Sequence, residues 1–151
     1  IFKNYCRPRV EFTYVPSCRT FDFLQGKTVC VNPNNYKVAV FIYMSGWWTK
    51  PYWESPLTTI NSDGTWRCNI TTGGNDPMAT KIAAFVVPNN YNPPLMGGSQ
   101  TFPPEIFNNS VAYLFQDRRQ AACVKIRNVG AGGIGLFALF DNLRQPPEHF
   151  I

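Results

Sequence analysis

"YKVAVFIYMSGWWTKPYW" (36–53) is the stretch on which the fold turns. Residues 36–44 are β-branched and aromatic, contain no Gly or Pro, and have the length of a central strand. Residues 46–53 then bring together Trp47, Trp48, Tyr52 and Trp53 around a Lys-Pro pair. Successive side chains of a strand point to opposite faces, so Trp47 and Trp48 cannot both line one surface. Pro51 lacks an amide hydrogen and bends the chain out of regular pairing. Two readings stay open. In one, alternate rings enter the core and the others cover a sheet edge. In the other, one or two of the four rings stack on a sugar.

Outward from this stretch the same period-2 grammar recurs. "RVEFTYV" (9–15) alternates, with Val10, Phe12 and Tyr14 on one face. "KTVCV" (27–31) is a short strand and "NPNN" (32–35) a turn by composition. Asp63-Gly64, between two apolar runs, predicts a hairpin. "ATKIAAFVVP" (79–88) is a second apolar strand ended by Pro88. Residues 89–104 read as a long irregular connection, a helical turn opens near 104, and "VAYLFQ" (111–116) is again a strand. The pattern contains no long amphipathic helix and predicts an all-β chain, a β-sandwich or jelly roll.

The whole chain has 151 residues, 44% hydrophobic and 15% charged, enough apolar content for one folded domain. Its 13 Pro and 11 Gly follow no collagen-like period and punctuate short segments. No apolar run is long enough for a membrane-spanning helix. The formal charge of +5 comes from scattered Lys and Arg, Arg118 among them, and reads as a solvated basic surface. It forms no dense stripe of the kind nucleic acid needs.

The chain opens on Ile1, with no charged segment followed by an apolar one, so the expectation is that any signal peptide has been removed. Cys6, Cys18, Cys30, Cys68 and Cys123 include no CxxC pair, and His149 is the single histidine, which argues against a zinc site. Five cysteines in such a chain fit disulfides in an oxidising compartment. Cys18 and Cys30, which flank one loop-and-strand unit, are the expected pair, and the odd count leaves one thiol over. Asn69-Ile-Thr71 and Asn108-Asn-Ser110 are glycosylation triplets.

Nothing marks catalysis. Asp63 and Asp76 sit in Gly-flanked turns, where Asp serves backbone geometry. GxSxG, HExxH and the P-loop are all missing. "GAGGIG" (130–135) lacks the βαβ surroundings of a dinucleotide site and reads as a flexible turn. The expectation is no enzyme, no cofactor and no metal.

The wording of the block "GWWTKPYW…SPLTTI…DGTW…ITTGGND", together with "VEFTYVP" before it, resembles a poorly characterised extracellular β-sandwich domain. That domain belongs to secreted and surface proteins of bacteria, including cyanobacteria, and often accompanies carbohydrate-active modules. The resemblance covers about residues 9–118. It implies a sandwich fold and an extracellular setting, in which the Trp-rich block serves as scaffold at least as well as ligand site. It divides the chain into an N-terminal segment (1–8), a sandwich domain (9–118) and a C-terminal extension (119–151).

The extension adds "AACVKIRNV" (121–129), a Gly-rich joint and "IGLFALF" (134–140). Either these segments form a hairpin in their own molecule, or the apolar one completes a neighbour's sheet. Strand addition repeated head to tail builds a filament unless the rotation closes. The favoured expectation is an extracellular structural subunit that assembles with copies of itself through Ile134, Leu136, Phe137, Leu139 and Phe140. The alternative is a carbohydrate-binding module whose partners are glycans, using Trp47, Trp48, Tyr52 or Trp53.

Overall fold

The structure is a computed structural model and describes residues 5–118. Strand β3 (Tyr36–Tyr43) is its axis. The antiparallel strand β7 (Lys81–Pro88) pairs with β3 along the whole length, from Tyr36–Pro88 to Tyr43–Lys81. The other side of β3 is shared. Strand β4 (Trp47–Lys50) lies opposite Val40–Tyr43, and β5 (Leu57–Thr59) lies opposite Lys37–Ala39. The chain therefore leaves the sheet at Pro51 and returns at Leu57, and the segment between stands off the edge. The Lys50–Pro51 peptide bond is cis.

Strands β8 (Gly97–Ser99) and β9 (Ala112–Asp117) extend this sheet to the order β8-β4-β3-β7-β9. The other sheet has three antiparallel strands in the order β1-β2-β6: β1 (Arg9–Tyr14), β2 (Leu24–Val29) and β6 (Thr65–Cys68). Among the described residues, one short α-helix, α1 (Pro104–Asn109), and a 3-10 turn at Asp76–Met78 complete an all-β fold of two sheets. No helix among the described residues is long and apolar enough to cross a membrane.

Alternation divides the larger sheet into two buried faces. Val38, Val40, Ile42, Ile82, Ala84 and Val86 point at the smaller sheet and pack with Val10, Leu24, Trp66 and Cys68. Ala39, Phe41, Ala83, Phe85 and Val87 point the other way, against Met96, Phe102 and Ile106. The 89–103 connection and α1 thus form a third layer. Burial on both faces is why β3 and β7 read as continuous apolar runs instead of alternating ones. Phe102 is the keystone of the outer layer, with its ring 4.9 Å from Phe41, 4.8 Å from Trp47 and 5.2 Å from Phe85.

Several expectations change. Strand β2 begins at Leu24, earlier than the run at 27–31 indicates, and β8 emerges from a connection that reads as irregular. The turn at Asp63-Gly64 is present, with the Gly64 amide donating to the Asn61 carbonyl at 2.8 Å. Its flanks do not form a hairpin: β5 joins β3 in one sheet and β6 joins β2 in the other. The turn is a corner between sheets.

Cys30 bonds to Cys6, not to Cys18, with Cα atoms 5.6 Å apart. The register explains the correction. Arg9 faces Val29 across the β1–β2 ladder, so the chain before β1 runs beside the end of β2. Cys18 lies in the connection that enters the opposite end of β2, a six-residue strand about 20 Å long. Cys18 is held in a different disulfide, and its sulfur lies 3.5 Å from the Arg118 carbonyl oxygen. Among the described residues Cys68 is the free thiol, and it is buried.

Arg118 is not part of a solvated basic surface. It is 2% exposed, and its guanidinium donates to the carbonyls of Ala79 (3.0 Å), Pro16 (3.2 Å) and Pro77 (3.1 Å). Burial pushes its pKa down. Three backbone dipoles hold this cation and tie the end of β9 to two loops of the sandwich.

Candidate functional site

Strand β4 builds the site because its two faces meet different surroundings. Trp47 is fully buried, its ring 5.3 Å from Tyr43 and 5.8 Å from Phe115. Trp48 points to the opposite face and is 40% exposed. Its Nε1 donates to the Met44 carbonyl at 2.9 Å, which fixes the ring beside the β3–β4 turn. That turn is tight: Gly46 has φ +145°, and a Cβ there would collide with the Gly98 carbonyl.

Lys50 lies two residues beyond Trp48 and shares its face. Neither Trp48 nor Lys50 belongs to the core packed between the two sheets. Instead the loop "TTGGND" (71–76) folds over their side of β4. Lys50 Nζ forms an ion pair with Asp76 Oδ2 and donates to Thr72 Oγ1 at 2.9 Å. Thr72 Oγ1 donates in turn to the Pro51 carbonyl at 2.9 Å. The amides of Thr72 (3.0 Å) and Gly73 (3.1 Å) also donate to Asp76 Oδ2. The loop is thus wrapped around one carboxylate oxygen. Both side chains of the pair are nearly buried, at 8% and 12% exposure, so each depends on the other for neutralisation.

Above this pair lies a cleft of about 390 Å³, walled by Trp48 and Met44 and rimmed by Gly73, Gly74 and Asn75. A second cleft of about 870 Å³ shares Met44 and Asn75 with it and continues past Tyr43, Arg19 and Thr80. The two clefts adjoin at Met44 and Asn75. Cys68 belongs to the core between the sheets, its thiol pushed up to about 11 by burial, against the opposing effects of a Thr58 hydrogen bond and the Lys50 charge. Such a thiol is not a nucleophile at ordinary pH.

The four rings of the Trp-rich block separate. Trp47 belongs to the core, and Trp48 to the cleft. Tyr52 (51% exposed) and Trp53 (54% exposed) project from the segment between Pro51 and Leu57 and do not line the cleft. Trp48 and Trp53 are nevertheless linked through β8. A Cβ on Gly98 would come within 3.3 Å of the Trp48 ring, and a Cβ on Gly97 within 3.0 Å of the Trp53 ring. Two consecutive glycines therefore seat the two exposed indoles.

Lys50 and Asp76 escaped sequence reading as a site. They are 26 residues apart, and Asp76 gave only the signature of a turn. Asp63 does behave as a turn residue, accepting from the amide and hydroxyl of Thr65 at 3.0 and 2.6 Å. Of the glycosylation triplets, Asn108 is exposed on α1, whereas Asn69 is half-buried and accepts from the Thr71 amide at 3.0 Å. The assembly residues Ile134, Leu136, Phe137, Leu139 and Phe140 lie outside the described residues. Among the described residues no three His, Cys, Asp or Glu side chains cluster as metal ligands. Comparison with family models, curated proteins and solved structures returns no match.

Proposed function

We propose that this chain is an extracellular carbohydrate-binding module, with the cleft beside Trp48 as its binding site. One observation carries the reading: the Trp48 ring is exposed, locked by its Nε1 hydrogen bond, and set as the wall of a cleft floored by a buried ion pair. A ring held in place loses little freedom when a sugar stacks on it, which favours binding. Apolar walls with a few convergent polar groups are what small-ligand sites require. Tyr52 and Trp53 offer further stacking surface outside the cleft. The Cys6–Cys30 bridge supports an oxidising, extracellular location.

The test is tryptophan fluorescence during titration with soluble plant and bacterial polysaccharides. A saturable shift that Trp48→Ala abolishes and Trp53→Ala only weakens is expected. Absence of any response to the whole panel rejects the reading.

Self-assembly is a second proposal, favoured by one sequence observation: the apolar segment 134–140 follows a Gly-rich joint beyond the last described strand. Electron microscopy of the full chain and of a chain lacking residues 129–151 decides it. Filaments that survive the deletion reject strand donation by this segment.

A further inference from the structure

We infer that the cleft beside Trp48 reads a vicinal diol of an uncharged sugar, with Asp76 as acceptor and Lys50 as donor. This rests on the carbohydrate-binding reading and names the ligand class within it. The hydrogen bonds around the ion pair are one-sided. Lys50, Thr72 and Gly73 all donate to Asp76 Oδ2, and none donates to Oδ1. Asp76 lines the cleft, and Oδ1 is the carboxylate oxygen that these donors leave to a ligand.

Lys50 is similarly incomplete. An ammonium has three protons, and the Asp76 and Thr72 bonds use two. The cleft floor thus presents one acceptor and one donor. Lys50 Nζ contacts Oδ2 directly and Oδ1 belongs to the same carboxylate, so donor and acceptor lie side by side, within reach of two neighbouring hydroxyls of a pyranose ring. One hydroxyl donates to Asp76 Oδ1 while its neighbour accepts from Lys50 Nζ, and the ring face lies against Trp48.

Charge narrows the class further. The pair is neutral as a unit, so a free anion meets the Asp76 carboxylate and a metal ion meets the Lys50 ammonium. A polyhydroxyl ligand uses both groups without disturbing either charge. The loop amides already fix Asp76, so the acceptor is in place before the ligand arrives.

The test is isothermal titration of the full chain with two kinds of polymer. Soluble 1,4-linked xylan and glucomannan carry vicinal diols along the chain. A soluble 1,3-linked β-glucan offers the same pyranose faces without in-chain vicinal diols. The 1,4-linked chains are expected to bind at least about tenfold more tightly, the discrimination seen when a buried polar group is left without its hydrogen bond.

A double variant, Lys50→Met with Asp76→Leu, removes both charges together and leaves neither buried alone. It is expected to bring the ratio near one while Trp48 still responds. Equal binding of both polymer kinds to the unaltered chain overturns the diol assignment and leaves stacking on Trp48 intact. So does a folded double variant that keeps the preference. If no polymer binds, the carbohydrate reading itself falls and this inference with it. If the double variant does not fold, the comparison of polymers on the unaltered chain decides alone.

Discussion

Trp47 and Trp48 are neighbours of the same residue type on the same strand, and they have opposite fates. Behind Trp47 the 89–103 connection supplies Phe102 and Met96, and α1 supplies Ile106, so that face is filled. Trp48 lies outside the core between the sheets, and the 71–76 loop covers its side of the strand. The loop fills the space with an ion pair and leaves a cleft. A side chain's role on this sheet is therefore set by what arrives on its side of the layer. Residue type does not decide it.

The largest effects are expected at the buried positions, Trp47 and Lys50. Trp47→Ala should cost about 3–5 kcal/mol in urea unfolding, because the surrounding rings cannot collapse into the space. Lys50→Ala should be comparably damaging, about 3–5 kcal/mol, since it strands the Asp76 carboxylate. Joining it to Asp76→Leu should recover much of that loss, and additive costs would show that the two charges are not coupled.

Removing the Cys6–Cys30 bridge by Cys6→Ser with Cys30→Ser should cost about 3 kcal/mol, from the loop it closes over a separation of 24 residues. Differential scanning calorimetry would read this as a lower Tm, with Trp48 fluorescence unchanged in the folded state.

Cys68 sharpens the contrast through pH. Its thiol pKa rises from 9.0 in the unfolded reference to about 11 in the fold. The unfolded chain then releases this proton first, so the stability contribution is complete below about pH 9 and is lost as pH rises to about 11. Melting curves should fall across that window more steeply for the natural chain than for Cys68→Ala. Parallel curves would mean the thiol is better solvated than its burial implies.

The smallest effect belongs to the exposed ring. Trp48→Ala should change unfolding free energy by no more than about 1 kcal/mol while removing the sugar response. A loss as large as that of Trp47→Ala would make Trp48 a structural residue and remove the basis for the cleft as a binding site.

That this chain is all-β is legible in its sequence. The runs at 36–44 and 79–88, the alternation at 9–15, and the turns at 32–35 and 63–64 are local signals, because strand propensity and turn chemistry are properties of adjacent residues. The sequence also determined that Trp47 and Trp48 part company, since alternation is built into an extended backbone. Tertiary structure alone decided which of the two is buried. It decided that the Asp63-Gly64 turn joins two sheets, and that Cys30 meets Cys6 across a ladder. It sent Arg118 inward to three carbonyls and brought Asp76 to Lys50. Each of these depends on groups distant in the chain, on register and on what covers each face. Short-range spacing carries no record of such distances.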